Sequence, residues 1–94
     1  MDTTELQMLY AAGKRDFRNI DLNAASLGCL DLRGANFQRA DLRRANLRWA
    51  DLRQTNLRWA DLRGADLSWA KLEGADLSFA RLKGAKMPDG TIHD

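Results

Sequence analysis

The chain is poor in the residues on which most chemistry depends. Its 94 residues include one histidine, His93, and one cysteine, Cys29. A lone histidine in the tail, next to Asp94 and remote from any serine pattern, gives no nucleophile–base pair to argue for catalysis. A lone cysteine excludes an internal disulfide and has no Cys/His neighbours at metal-ligand spacing. No apolar run approaches the length needed to cross a membrane. Residues 1–10 are polar and lack the apolar stretch of a secretory leader. A mildly basic net charge of +2, with 30% charged residues, completes the picture of one soluble, cytoplasmic domain without a cofactor or metal.

What the chain does have is a period. Phe17, Leu22, Leu27, Leu32, Phe37, Leu42, Leu47, Leu52, Leu57, Leu62, Leu67, Leu72, Leu77, Leu82 and Met87 fall at every fifth position. On an α-helix, a step of five rotates each leucine by roughly 140° and scatters the set around the cylinder. On a straight strand, an odd step sends alternate leucines to opposite faces. Only a chain that bends after each pentad buries them all on one axis. The period therefore predicts an all-β solenoid of very short strands joined by turns.

The other pentad positions agree. Two residues before each central residue stands alanine in most repeats, from Ala25 and Ala35 through Ala85, small enough for a narrow, close-packed interior. Immediately before the centre stands Asp or Asn, as in Asp31, Asn36, Asp41, Asn46, Asp51, Asn56 and Asp61, residues that favour turns through local hydrogen bonds. The two positions after the centre vary as solvent-facing sites do. Gly34, Gly64, Gly74 and Gly84 recur at one turn position and form no phosphate-binding loop, and the regular aspartates read as architecture and not as the paired acids of a hydrolase.

Runs such as Ala35-Asn36-Phe37-Gln38-Arg39, Ala40-Asp41-Leu42-Arg43-Arg44 and Ala75-Asp76-Leu77-Ser78-Phe79 resemble the A(D/N)LXX signature of pentapeptide-repeat proteins across residues 15–88. The resemblance implies a right-handed quadrilateral β-helix with four pentads per coil, hence about four coils here. The ends resemble those of small cyanobacterial members. Residues 1–14 are expected to form a short N-terminal capping helix: Thr4-Glu5-Leu6-Gln7 reads as a capping box and Gly13 as a stop, giving a helix over about 4–12. Ile20 and Leu30, where later coils have alanine, suggest a first coil that is wider or turned toward that helix. Residues 89–94 follow as a C-terminal turn and tail, with Met87-Pro88-Asp89-Gly90-Thr91 ending the solenoid.

With four pentads per coil, residues twenty apart stack about 4.8 Å from one another. Trp49 then stacks with Trp69, and Trp59 with Phe79 on the opposite side. Arg43, Arg63 and Lys83 form a basic column with Arg44 beside it. These eight residues are the candidate interaction surface. The aromatic pairs suit either stabilisation of the coils or recognition of a partner or second copy. Eight arginines lie between residues 33 and 63 against three aspartates, and solubilise the rod or bind acidic groups. Asp21, Asp41 and Asp61 share one column, with like charges at ladder distance. Lys71, Arg81 and Lys86 stand one coil beyond Asp51, Asp61 and Asp66, where each is expected to meet an aspartate.

The leading expectation is a non-enzymatic scaffold or protein-interaction module whose partner the sequence does not name, with self-association through an aromatic column or a solenoid end also open. Two alternatives stand beside it. Some members of the family protect DNA gyrase with an acidic, DNA-mimicking rod; this chain departs from them in being basic, short and without their long C-terminal dimerisation helix. An Arg-rich band also permits weak nucleic-acid binding, whose affinity would fall steeply with salt.

Overall fold

A computed structural model describes residues 1–94 throughout. Eleven parallel bridges join residues twenty apart, from Asp16–Asn36 to Asp66–Lys86. Twenty residues are four pentads, so the chain closes a square coil and climbs one ladder step per turn. The bridges are single residues, so each side of the square is strand for little more than the residue before the centre.

Three backbone hydrogen bonds hold each side to the next coil. The central N–H donates onward, as Leu22 N does to Asp41 O at 2.8 Å; so does the N–H two residues later, as Ala24 N does to Arg43 O at 2.8 Å. One bond runs back, as Asp41 N donates to Ile20 O at 2.9 Å. At each corner the chain turns: Ala25 N donates to Leu22 O at 3.0 Å, and the residue two after the centre takes positive φ. An i to i+3 bond with positive φ at the third position is the signature of a type II turn, which favours glycine there. Gly34, Gly64, Gly74 and Gly84 supply it at four corners, but ten non-glycine residues adopt φ of 57° to 65° as well, Trp49, Trp59, Trp69 and Phe79 among them.

The positions after the centre are therefore less free than their sequence variety suggests. The second is held in the left-handed region. The first donates its N–H to the preceding Asp or Asn side chain, as Asn23 N does to Asp21 Oδ1 at 3.0 Å and Arg48 N to Asn46 Oδ1 at 3.0 Å. This local bond fixes the bend and explains the Asp/Asn preference.

The inward residues form one continuous core. The central residues from Phe17 to Leu67 are buried, as are the inward alanines from Ala35 to Ala65, while Ala25 and the last coil's Leu72, Leu77, Leu82 and Met87 are half-buried. Thr55 occupies an alanine position and is satisfied there, its hydroxyl donating to Leu52 O at 2.7 Å. Phe17 and Phe37 stack inside at 5.6 Å.

Helix α1, Thr3–Ala11, lies against the first coil. Its N-cap is Asp2, whose carboxylate accepts from Glu5 N at 2.8 Å. This corrects the expected start at Thr4: an aspartate two residues earlier caps the helix, and its charge suits the positive N-terminal dipole. At the other end Gly13 N donates to Tyr10 O and Lys14 N to Leu9 O, a Schellman closure with Gly13 at φ 101°. Leu6 is buried, and Leu9, Tyr10, Ile20 and Leu30 pack on the core together, so the large residues of the first coil sit with the helix. Three donors from the N-terminal segment reach carbonyls of that coil: the Met1 ammonium to Asp21 O at 3.3 Å, Thr3 Oγ1 to Ser26 O at 3.0 Å and the Tyr10 hydroxyl to Arg33 O at 2.7 Å.

After Met87 the chain leaves the helical path. It reverses at Gly90, whose N–H donates to Met87 O at 2.8 Å, and Ile92 then pairs antiparallel with Lys86.

Candidate interaction surface

The four sides and corners sort the outward residues into columns. At one corner Trp49 and Trp69 stack with centroids 5.2 Å apart and planes 8° from parallel. At the opposite corner, ten residues on, Trp59 and Phe79 stack at 4.7 Å and 14°. All four remain 47–62% exposed, so each ring turns one face to its neighbour and leaves much of its surface to water. The left-handed corner conformation directs these side chains outward and in register.

The second column is longer than the aromatic pair. The Arg39 guanidinium lies 5.5 Å from the Trp59 centroid, and that of Arg58 lies 5.5 Å from Phe79. Arg39, Trp59 and Phe79 thus form a cation–aromatic–aromatic stack. The sequence reading did not single out Arg39 or Arg58 for this role, although the spacing of twenty from Arg39 to Trp59 carries the signal. At the neighbouring corners Arg44 lies against Gly64 and the Gln54 side chain covers Gly74, each filling the space where a side chain would otherwise stand.

The expected basic column of Arg43, Arg63 and Lys83 exists in register, but its charge is largely matched. Arg43 forks onto Asp41, with Nη2 to Oδ2 at 2.8 Å, and Arg63 onto Asp61 at 2.6 Å. Arg33 on Asp31 and Arg53 on Asp51 repeat the fork on the opposite side. Some forks reach the next coil, as Arg33 Nε lies 3.7 Å from Asp51 and Arg43 Nε 3.9 Å from Asp61. Arg48 pairs with Asp66 and Arg58 with Asp76 at 3.2 and 3.3 Å. The repulsion expected in the Asp21, Asp41 and Asp61 column is offset in this way at Asp41 and Asp61, while Asp21 has no ion-pair partner. The arginine forks, with their own backbone N–H groups, bring the Asp31 and Asp41 carboxyls down to about 2 against the cost of partial burial. The same partners lower Asp51 and Asp61. At Asp66, burial opposes ionisation but is outweighed by the Ser68 hydroxyl and N–H and by Arg48.

One expectation fails here. Lys71, Arg81 and Lys86 bridge Asp51, Asp61 and Asp66 through the backbone, yet none forms an ion pair within 4 Å. Those carboxylates are already taken: Arg53 and Arg63 fork onto Asp51 and Asp61 from two residues along the chain, and Arg48 reaches Asp66 with one N–H. Among the candidate surface residues, Lys83 and Arg44 likewise have no ion-pair partner. No group of three His, Cys, Asp or Glu side chains is placed to hold a metal, and no helix is long and apolar enough to cross a membrane.

Against known proteins, the family description "Pentapeptide repeats", eight copies long, matches residues 16–54 and 50–88. The crystal structure of alr5209, a pentapeptide repeat protein from Nostoc PCC 7120, is 40% identical over 89% of this chain and 78% of its own, with a TM-score of 0.57. HetL, a pentapeptide repeat protein involved in heterocyst differentiation regulation from Nostoc sp. strain PCC 7120, is also 40% identical; the match covers 83% of this chain but only 43% of HetL, with a TM-score of 0.50. No curated protein matches the chain. The architecture shared with these structures is the right-handed quadrilateral β-helix.

Proposed function

Since the chain belongs to the pentapeptide-repeat family, we propose that it works without catalysis, as a rigid rod that another protein recognises through its two aromatic columns. The observation that carries this reading is the pair of stacks, Trp49 with Trp69 and Trp59 with Phe79, four large rings left about half-exposed at opposite corners of a scaffold that holds them in register. Aromatic residues are enriched where proteins meet, because they bring large apolar area at little entropic cost. The relationship to HetL, which takes part in regulating a developmental process, fits a protein that acts by contact.

On this reading α1 serves as the cap of the first coil, covering carbonyls that have no preceding coil to bond. The arginine band serves solubility and ladder cohesion, because its forks are spent on aspartates. Within the band that pairing leaves only Arg39 and Arg44 without an ion-pair partner, which argues against a continuous basic stripe for nucleic acid, and the paired aspartates do not form the bare acidic column that would imitate DNA.

The test compares partner capture by the parent chain with capture by Trp49→Ala/Trp69→Ala and Trp59→Ala/Phe79→Ala, with folding checked by circular dichroism. Loss of one specific partner with one folded double variant supports the proposal. Retention of every specific partner by both folded variants removes it.

A further inference from the structure

The tail shows how the last coil accepts a strand. Along the side ending in Lys86, Met87 N donates to Thr91 O at 2.7 Å, His93 N donates to Ala85 O at 2.8 Å, and Gly84 N donates to His93 O at 2.8 Å. Three backbone groups of the edge, a donor, an acceptor and a donor, are satisfied by three extended residues running antiparallel.

The same three groups recur on two other sides and are vacant there. Along the side ending in Arg81 they are Leu82 N, Ala80 O and Phe79 N; along the side ending in Asp76 they are Leu77 N, Ala75 O and Gly74 N. None of these six groups has a hydrogen-bond partner in the chain. On the fourth side, Leu72 N and Ala70 O are free, but Trp69 N already donates to Pro88 O at 3.1 Å, so the pattern is incomplete. After Met87 the path turns back along the Lys86 side alone, and the groups of the two other sides face away from it.

The two complete sides differ in charge. Arg81 is exposed and has no ion-pair partner, and Lys83 follows it in the same condition; beside them stand the open face of Phe79 and half-buried Leu82. The other side carries Asp76 and follows Glu73. A sheet edge with free N–H and C=O groups is a template for strand addition, and here the cations select what is added.

We propose that the Arg81 side of the C-terminal edge is a strand-addition site for an extended, acidic segment of another protein, bound antiparallel to residues 79–82 as residues 91–93 are bound to residues 84–87. Leu82 N and Phe79 N donate to two carbonyls of the segment, Ala80 O accepts from one of its N–H groups, and its carboxylates meet Arg81 and Lys83. Each side of the square is only one bridge long, so the contact is short and its affinity modest. The site is separate from the sides of the aromatic columns except at Phe79.

The experiment is a titration of the ¹⁵N-labelled full chain with a synthetic peptide of the sequence of residues 88–94, which carries two aspartates and a free carboxylate. The expected result is saturable shifts and slowed exchange at the Phe79 and Leu82 amides, smaller effects at Leu77 and Gly74, and none at Leu62 or Trp49. Arg81→Glu, at an exposed side chain without a partner, should weaken binding by about fivefold or more, the scale of one exposed ion pair. A peptide with both aspartates changed to asparagine should weaken it similarly. Absence of shifts at Phe79 and Leu82 at millimolar peptide, or equal binding by the Arg81→Glu variant, overturns the proposal. Shifts at those amides that grow with protein concentration alone would assign the edge to a second copy and overturn it too. Because the aromatic double variant Trp49→Ala/Trp69→Ala leaves this edge intact, failure here and failure of the column reading are separately visible.

Discussion

The stack of Trp49 on Trp69 makes a quantitative prediction, because two opposing effects act at the same residue. Trp49 is 55% exposed and Trp69 62%, so each loses roughly two-fifths of its surface to the stack and the flank of the coil. A fully buried tryptophan removes up to about 250 Å² from water, so about 100 Å² is covered here, worth ~2.5 kcal/mol at most at about 25 cal/mol per Å². The ring pair adds about 0.5–1.5 kcal/mol. Trp49→Ala should therefore cost ~2–3 kcal/mol. Trp49 has φ 63°, a conformation that costs a side-chain-bearing residue roughly 1–2 kcal/mol and glycine almost nothing. Part of that relief is lost to the greater freedom of glycine in the unfolded chain. Trp49→Gly should thus be more stable than Trp49→Ala by about 0.5–1 kcal/mol, the reverse of the order in an ordinary strand. Urea unfolding followed by far-ultraviolet circular dichroism measures both. A double-mutant cycle with Trp69→Ala should return a coupling of about 1 kcal/mol. A glycine variant less stable than the alanine variant would refute the corner argument, and zero coupling would refute the stack.

Two further predictions concern the interior and the charge ladder. Leu57→Ala, at a buried position with coils on both sides, should cost ~3–5 kcal/mol, whereas Leu82→Ala in the half-buried last coil should cost only about 1–2 kcal/mol, as compared by chemical denaturation. Equal costs would contradict an open C-terminal end. Asp31 and Asp41 have folded pKa values of about 2, below the unfolded value near 3.9, so the stability they contribute is complete above that unfolded value and is lost as pH falls through the folded one. The melting temperature should be level from pH 7 to 5 and fall between about pH 4 and 2. Arg43→Gln should shrink that acid-dependent fall, and a profile identical to the parent's would show that the fork does not carry it.

The pentad period made the β-helix legible because it acts on every residue at once: no other backbone path buries Leu22, Leu42 and Leu62 together with Leu27, Leu47 and Leu67. The aromatic columns followed from the same arithmetic, since their rings stack wherever the register repeats. What escaped was what depends on competition. Thr4 and Asp2 are both sound N-caps, and the choice between them rests on how the Met1–Thr3 segment meets Asp21 and Ser26 of the first coil. Lys71, Arg81 and Lys86 each face an aspartate one coil below in the column, but the arginine two residues along from Asp51 and Asp61, and Arg48 across from Asp66, reach those carboxylates first. A list of columns states who is near whom, while the pairing is decided by side-chain reach and fork geometry.

The polarity of the ladder accounts for the chemistry at both ends. Of the three bonds that join one coil to the next on each side, two point their N–H toward the C-terminus and one points back. The first coil therefore presents an excess of carbonyls and the last an excess of N–H groups. Each end is met by groups of the opposite kind. The N-terminal segment brings donors, the Met1 ammonium and the Thr3 and Tyr10 hydroxyls, to Asp21 O, Ser26 O and Arg33 O. The C-terminal segment brings acceptors, as Thr91 O and His93 O take Met87 N and Gly84 N, and Pro88 O takes Trp69 N. A helix suits the first end because its side-chain hydroxyls can reach out sideways, while its own N–H groups are occupied within it. A strand suits the second because its carbonyls project in the plane where the free N–H groups lie. Any partner of the remaining edge must likewise bring carbonyls in excess, so an extended backbone fits it and a helix, whose carbonyls are spent internally, does not.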